Sequence, residues 1–263
     1  MTGKDRTPVL GILQARISAS RLPGKVLLPI LGEPMIFRHI ERLRRSADID
    51  LVVVATSTDS SDDPLAAACQ HRGVPCFRGD LQDVLGRVVQ AGRPYRPDAI
   101  VRLTADCPLA DATLIDDLVT YFRSGSYDYV SNCFPPTFPD GLDAEVVRFS
   151  CLEEADRDAV LPSHREHVTP FLRAHPARFR IGHVSAPVDL SALRWTVDEP
   201  EDFEFVCRVY ERLYPERPDF DTADILELLA KEPALSELNA RFRRNEGSRT
   251  SAEADAAFLA RNG

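Results

Sequence analysis

Short apolar runs alternate with amphipathic stretches through the first half of the chain, and few folds accommodate that alternation. Residues 9–14, 51–55, 74–77 and 99–103 are too short for buried helices and show no in–out alternation, so each reads as a strand covered on both faces. Between them, residues 35–45 place Ile36, Ile40 and Leu43 on one helical face. Ser61, Asp62, Asp63 and Pro64 are cap and first-turn residues that open a second helix, and residues 82–90 and 111–122 supply two more. Parallel neighbours need crossover helices, and such crossovers are right-handed. The spacing therefore predicts an α/β fold, a doubly wound and mainly parallel sheet, with ligands at the carboxyl ends of its strands.

The second half is less regular. Residues 127–132, 144–147 and 178–184 read as strands, 166–174 and 201–213 as helices, and 194–197 as a further short strand. Residues 223–244 form one or two terminal helices, and 245–263 are a polar, Ala-rich tail, frayed or weakly helical. At 263 residues and 44% hydrophobic content the chain buries one substantial core, so residues 1–244 are read as a single domain followed by the tail.

A formal net charge of −9 argues against a general nucleic-acid binder, which needs a basic face, but leaves small anionic substrates open. No run is long and apolar enough to span a bilayer, and residues 1–8 are too polar for a signal peptide, so a cytoplasmic protein is expected. Six cysteines lie outside any CxxC or zinc spacing and read as reduced, mostly buried small apolar residues. Cys107 as a nucleophile would lack a dedicated base beside it in sequence.

The loop after the first strand, Gln14-Ala15-Arg16 through Arg21-Leu22-Pro23-Gly24-Lys25, concentrates three cations where such a sheet binds its ligand. Arg16 and Arg21 offer forked donors to phosphate oxygens, Lys25 adds a compact charge, and Gly24 lets the backbone approach closely. An ordinary solvated loop is the alternative, and the loop is not a Walker-type phosphate loop. Asp106 follows the run at 99–103, so its carboxylate emerges at the ligand edge, where a hard oxygen donor suits magnesium on a triphosphate; a turn or cap role competes. Asp198 precedes Glu199-Pro200, a helix opening, and capping alone is its alternative.

At this point the chain resembles the cytidylyltransferases that activate 2-keto-3-deoxy sugar acids and sialic acids, especially the SpsF-like spore-coat-polysaccharide branch. The resemblance rests on Ala15-Arg16 with Arg21 to Lys25, on Ile30-Leu31-Gly32-Glu33-Pro34-Met35-Ile36, and on Phe77-Arg78-Gly79 with Asp83-Val84-Leu85-Gly86-Arg87. It continues through Thr104-Ala105-Asp106-Cys107-Pro108-Leu109, Pro139-Asp140-Gly141-Leu142-Asp143-Ala144-Glu145-Val146, Arg165-Glu166-His167-Val168-Thr169-Pro170, and Arg194-Trp195-Thr196-Val197-Asp198 with Pro200-Glu201-Asp202. It covers roughly residues 9–213, in order.

The resemblance implies a Rossmann-like, GT-A-like nucleotide-diphospho-sugar transferase architecture. It implies Mg2+ on Asp106 and Asp198, and a nucleoside triphosphate, CTP favoured over GTP, gripped by Gln14, Ala15, Arg16, Arg21, Gly24 and Lys25, with Arg78, Asp83 and Arg87 near the base. Asp83 and Arg87 equally suit an i to i+4 helix pair. Asp140, Asp143 and Glu145 either bind acceptor hydroxyls or cap a loop; Arg165 and His167 either meet the acceptor or open a helix, with His167 a weak candidate base. Relatives often dimerise through their second half, so a homodimer is implied. The competing functions are a sugar-nucleotide-dependent glycosyltransferase, against which the missing Asp-x-Asp pair at Asp106 speaks, and a non-catalytic nucleotide-binding protein.

Overall fold

The computed structural model describes residues 7–244 and 255–261. Its strands are β1 (Val9–Gln14), β2 (Pro29–Ile30), β3 (Glu33–Pro34), β4 (Leu51–Ser57), β5 (Cys76–Gly79), β6 (Ala99–Thr104), β7 (Tyr129–Ser131), β8 (Glu145–Arg148) and β9 (Ile181–His183). Its helices are α1 (Met35–Leu43), α2 (Asp63–His71), α3 (Val84–Gly92), α4 (Ala112–Ser124), α5 (Phe149–Asp158), α6 (Pro162–His167), α7 (Pro170–Ala174), α8 (Pro200–Leu213), α9 (Thr222–Lys231) and α10 (Ala234–Glu237).

Among these residues seven strands form one sheet in the order β5-β4-β1-β6-β8-β7-β9, and β2 pairs with β3 in a hairpin. β5, β4, β1 and β6 are mutually parallel; β8 runs antiparallel to both of its neighbours, β6 and β7, and β9 is parallel to β7. The expected mainly parallel, doubly wound sheet is thus present, and its strand order reverses beside β1. At such a switch point the loops leaving neighbouring strands diverge and open a crevice at their carboxyl ends.

Each face of the sheet carries its own core, because successive side chains of a strand point opposite ways. Val9 and Leu13 pack with Ile36 and Ile40 of α1, Leu118 of α4 and Val209 of α8. Leu10 and Ile12 point the other way, toward Leu85 and Val88 of α3, Leu152 of α5 and Leu172 of α7. Caps fix the helix starts: Asp83 accepts from Gly86 N, Asp111 from Thr113 N and Leu114 N, and Glu199 with Asp202 forms a capping box on α8.

Four expectations change. The helix expected over residues 166–174 is two, α6 and α7, separated by Val168 at φ 74°: Pro170 lacks the N–H that a continuous helix needs and fits instead at the first turn of α7. α5 is an additional helix, hard to read because only Phe149, Cys151, Leu152 and Ala155 of its FSCLEEADRD sequence are buried. Residues 194–197 form no strand; a single bridge joins Arg194 to Asp140. The terminal helices stop at Glu237, and 238–244 are turns and bends. Of the tail, residues 255–261 are helical and Asp255 accepts from Ser163 N and Oγ, while 245–254, 262 and 263 lie outside the described residues.

Candidate active site

The crevice forms where β1 and β6 end side by side. Ala105 N donates to the Gln14 carbonyl at 3.0 Å and Ala15 N to the Ala55 carbonyl at 3.1 Å, so the backbone ladder runs just past the strands and fixes where the loops depart. The cationic loop is then pinned from outside: Asp62, fully buried, accepts from Ile17 N at 2.7 Å, from Ser57 N at 3.0 Å and from the Ser57 hydroxyl. Asp62 does precede the first residue of α2, as the Ser61-Asp62-Asp63-Pro64 opening suggests, but its side chain ties the loop to the end of β4 instead of capping the helix. Gly24 has φ 76°, yet a Cβ there would meet nothing within 4 Å. Its left-handed backbone, not close approach to a ligand, demands glycine.

A cavity of about 260 Å³ opens over these loops. Of the expected nucleotide contacts, Gln14, Ala15, Arg16, Arg21, Lys25 and Arg87 line it, together with Asp106, Asp198 and His167. Lys25 is buried, and its ammonium donates to Asp198 Oδ1 at 2.9 Å, Asp106 Oδ2 at 3.2 Å and the Val197 carbonyl at 2.7 Å. Burial pulls Lys25 toward neutrality, but the carboxylates of Asp106 and Asp198 outweigh it and raise its pKa. Burial likewise pushes Asp106 up; Lys25 and the hydroxyl of Thr104 hold it down at about 2. Arg21 meets Asp198 at 2.8 Å and Glu199 at 3.3 Å. The two aspartates, 92 residues apart in sequence, converge because Val197 N and the Thr196 hydroxyl bond the Asp106 carbonyl at 2.8 and 3.3 Å.

A second cavity, of about 190 Å³, shares Arg21, Thr104, Asp106 and Asp198 with the first and adds Asp140, Asp143, Arg194, Thr196 and Arg243. Its wall is two irregular segments in tight contact: Trp195 N donates to the Asp140 carbonyl at 2.6 Å, and a Cβ on Gly141 would sit 2.5 Å from Thr196 N. Gly141, at φ 113°, is there for lack of room as well as for conformation. Arg194 pairs with both oxygens of buried Asp202 at 2.8 Å and reaches Asp140 at 3.3 Å and Asp198 at 3.4 Å. Burial raises Asp140 to about 6 against the pull of Arg244 and Arg194, and raises Asp143, which Arg244 also pairs.

Several expected site residues serve the scaffold instead. Arg78 donates to the Ser57 and Asp59 carbonyls at 2.9 and 3.0 Å and lines neither cavity. Asp83 caps α3 and takes Arg165 Nε and Nη2 at 2.8 and 2.5 Å; Arg165 also reaches Asp156, so this pair staples α6 to α3 and α5 rather than meeting an acceptor. Arg87 does line the cavity but donates to the Asp80 carbonyl at 2.7 Å instead of pairing along the helix with Asp83. Glu145 is buried against Arg102, Tyr129 and Thr169: burial raises its pKa, and these partners hold it below the ordinary carboxylate range. His167 faces the cavity beside Glu166, with its pKa lowered by burial. Burial and the neighbouring Asp106 push the Cys107 thiol well above its usual range, which removes it as a nucleophile. Sequence reasoning missed Arg243 and Arg244, beyond the stretch where motifs were legible, and also Thr104, Arg194 and Thr196, which lie inside those motifs and line the cavities.

The donor set fits a magnesium-type cation. Asp106 and Asp198 offer hard oxygens around a point already occupied by one positive charge, the Lys25 ammonium. Among the described residues no cluster of three or more His, Cys, Asp or Glu forms a complete cage. Two carboxylates with the remaining oxygens drawn from phosphate and water is how Mg2+ is usually held.

The chain matches the cytidylyltransferase family model over residues 10–245, past the end of the legible motifs and through Arg243 and Arg244. It is 37% identical over 234 residues to the spore coat polysaccharide biosynthesis protein SpsF of Bacillus subtilis, spanning 86% of this chain and 95% of that protein. A solved cytidylyltransferase from Leptospira borgpetersenii superposes with a TM-score of 0.83 at 33% identity, over 88% of this chain and 97% of the other. A CMP:2-keto-3-deoxy-manno-octonic acid synthetase complexed with CTP shares the fold, with a TM-score of 0.60 at 21% identity over 78% and 99% of the two chains. The GT-A-like, Rossmann-like sheet, the crevice at its switch point and these matches place the chain in the cytidylyltransferase family, on the side of SpsF.

Proposed function

We propose that this enzyme joins the cytidylyl group of CTP to a sugar acid or sugar phosphate, in Mg2+-dependent synthesis of an activated sugar for a surface glycan. The observation that carries the reading is that the two cavities share, among the described residues, only Arg21, Thr104, Asp106 and Asp198. The cavity over the β1 loop takes the triphosphate, as the CTP complex of its fold relative suggests by analogy. The cavity at Asp140 and Asp143 takes the acceptor.

An acceptor oxygen would enter from the second cavity, form a bond to the α-phosphorus and displace pyrophosphate as the α–β bridging bond breaks. Arg16, Arg21 and Lys25 neutralise the departing pyrophosphate. Asp106 and Asp198 would hold the metal, which when bound spreads the charge between incoming and leaving oxygens. Asp140 and Asp143 accept hydrogen bonds from the acceptor's hydroxyls, and His167 and Arg87 orient the base at the far end of the first cavity. Residues 1–244 act as one catalytic unit, in the cytoplasm, and a homodimer is the expected assembly.

Pyrophosphate release with CTP, Mg2+ and a panel of sugar acids and sugar phosphates tests the reading. Release with at least one acceptor, lost in Asp106→Ala, is expected. No release from any triphosphate, together with tight binding of a finished sugar nucleotide, would favour the glycosyltransferase alternative.

A further inference from the structure

The cations assigned to the triphosphate and the carboxylates assigned to the metal are bonded to each other. Lys25 spends all three of its donors within the cluster, on Asp106, Asp198 and the Val197 carbonyl, and Arg21 closes on Asp198 and Glu199. The sequence alone suggested two separate devices, a phosphate grip and a metal seat. The structure shows one mutually paired set, in which Arg194 also reaches Asp198 at 3.4 Å.

This pairing decides what can bind alone. A divalent cation and an ammonium cannot share the same oxygens about 3 Å away, because at that range like charges repel strongly even in a partly hydrated site. Metal by itself would therefore displace Lys25, whose side chain is only 10% exposed and would lose its bonds to both carboxylates. Triphosphate by itself would draw Lys25 and Arg21 away and leave Asp106 and Asp198 facing phosphate oxygens of the same sign. Only both together leave every group paired: cations move onto phosphate, and carboxylates onto metal.

We propose that Lys25, assisted by Arg21, is an internal counter-ion that keeps divalent metal off Asp106 and Asp198 until a triphosphate arrives, so that metal and nucleotide enter as a unit by exchanging ion partners. This rests on the assignment of Asp106 and Asp198 as metal ligands, and the experiment separates the two claims. Mn2+ binding is followed by water-proton relaxation with Mn2+ alone and with Mn2+ plus the non-hydrolysable α,β-methylene analogue of CTP.

Wild type is expected to bind Mn2+ alone roughly tenfold or more weakly than in the ternary complex, and Lys25→Met to bind Mn2+ alone roughly tenfold more tightly than wild type does. Mn2+ alone should also raise the melting temperature of Lys25→Met and leave that of wild type unmoved. Arg21→Ala, a change on a partly exposed loop residue, should raise the affinity for Mn2+ alone by a smaller factor and serves if Lys25→Met fails to fold. Equal Mn2+ affinity with and without nucleotide in wild type, or no gain in any folded variant, overturns the counter-ion role. If instead Asp106→Asn leaves Mn2+ in the ternary complex unchanged, the ligand assignment itself has failed.

Discussion

The two cavities are built by different means although they share a wall. The side proposed for the nucleotide hangs on regular structure: β1, β4 and β6 fix its floor through a parallel ladder, and buried Asp62 clamps the loop above it. The acceptor side rests on irregular segments, around Asp140, around Arg194 and at Arg243, that are joined by one isolated bridge and a network of arginine–carboxylate pairs. A backbone ladder cannot be changed without disturbing the sheet, whereas side-chain pairs can be exchanged without altering it. The cavity proposed for the nucleotide is thus set by the fold, and the one proposed for the acceptor by substitutable contacts laid over it.

The most severe break should come at the shared wall. Asp198 faces both cavities, so Asp198→Ala is expected to lower kcat by about 10³-fold whichever acceptor is offered, since on the proposed function it removes a metal ligand at the reacting phosphate. Steady-state kinetics with two acceptors measures this. A loss confined to one acceptor would mean that Asp198 belongs to the acceptor side alone.

Next in size is a change that leaves chemistry alone. Glu145 lines neither cavity, and its partners Arg102, Tyr129 and Thr169 are held in the interior of the sheet. Glu145→Ala strands the Arg102 charge and two hydroxyls, which should cost about 3–5 kcal/mol of unfolding free energy in urea titration. The acceptor KM of the enzyme that remains folded should not move. A large rise in that KM at intact stability would restore Glu145 to the acceptor site.

The difference between the cavities also explains what the sequence disclosed. Hydrophobic runs and crossovers determine β1, β4 and β6, and with them the position of Lys25 and Asp106, because a parallel strand buried on both faces has a distinctive composition. The partnership of Arg165 with Asp83 and of Glu145 with Arg102 was not legible, since a charged residue in a motif looks the same whether it faces a ligand or a distant helix. Arg243 and Arg244 carried no local signal at all: they follow α10, and the bonds from Arg194 to the Arg243 carbonyl and from Arg244 to the Phe138 carbonyl and Asp143 hold this segment over the cavity.

A titration sharpens the contrast further. Burial, with Asp143 and Asp198 nearby, holds the Asp140 carboxyl at about 6 in the folded chain, against roughly 3.9 in an unfolded one. Between those values the folded state keeps a proton that the unfolded state has given up, so wild type loses stability as pH rises from about 4 to about 6. Asn cannot titrate. Asp140→Asn should therefore gain about 1–3 kcal/mol relative to wild type as pH is raised from about 4 to about 7, read from urea midpoints at each pH. An unchanged difference between the two proteins across that range would show that Asp140 ionises in the fold as it does in water.

The smallest effect is the most discriminating, because it separates the cavities without touching their shared wall. Arg243 lines the acceptor cavity and not the nucleotide cavity, and it lies outside every motif that the sequence offered. If the acceptor bears a carboxylate or phosphate, an arginine at this rim is suited to meet it through forked donors, and truncation removes about one charge-assisted hydrogen bond. Arg243→Ala should then raise the acceptor KM by about tenfold while leaving the CTP KM and kcat within about twofold, the pattern of an interaction made equally in ground and transition states. Lys at the same position should recover only part of the loss, since a point charge cannot reproduce a fork. Equal rises in both KM values would dissolve the division of labour between the two cavities, because they would show that the segment around Arg243 shapes the whole crevice and not only its acceptor half.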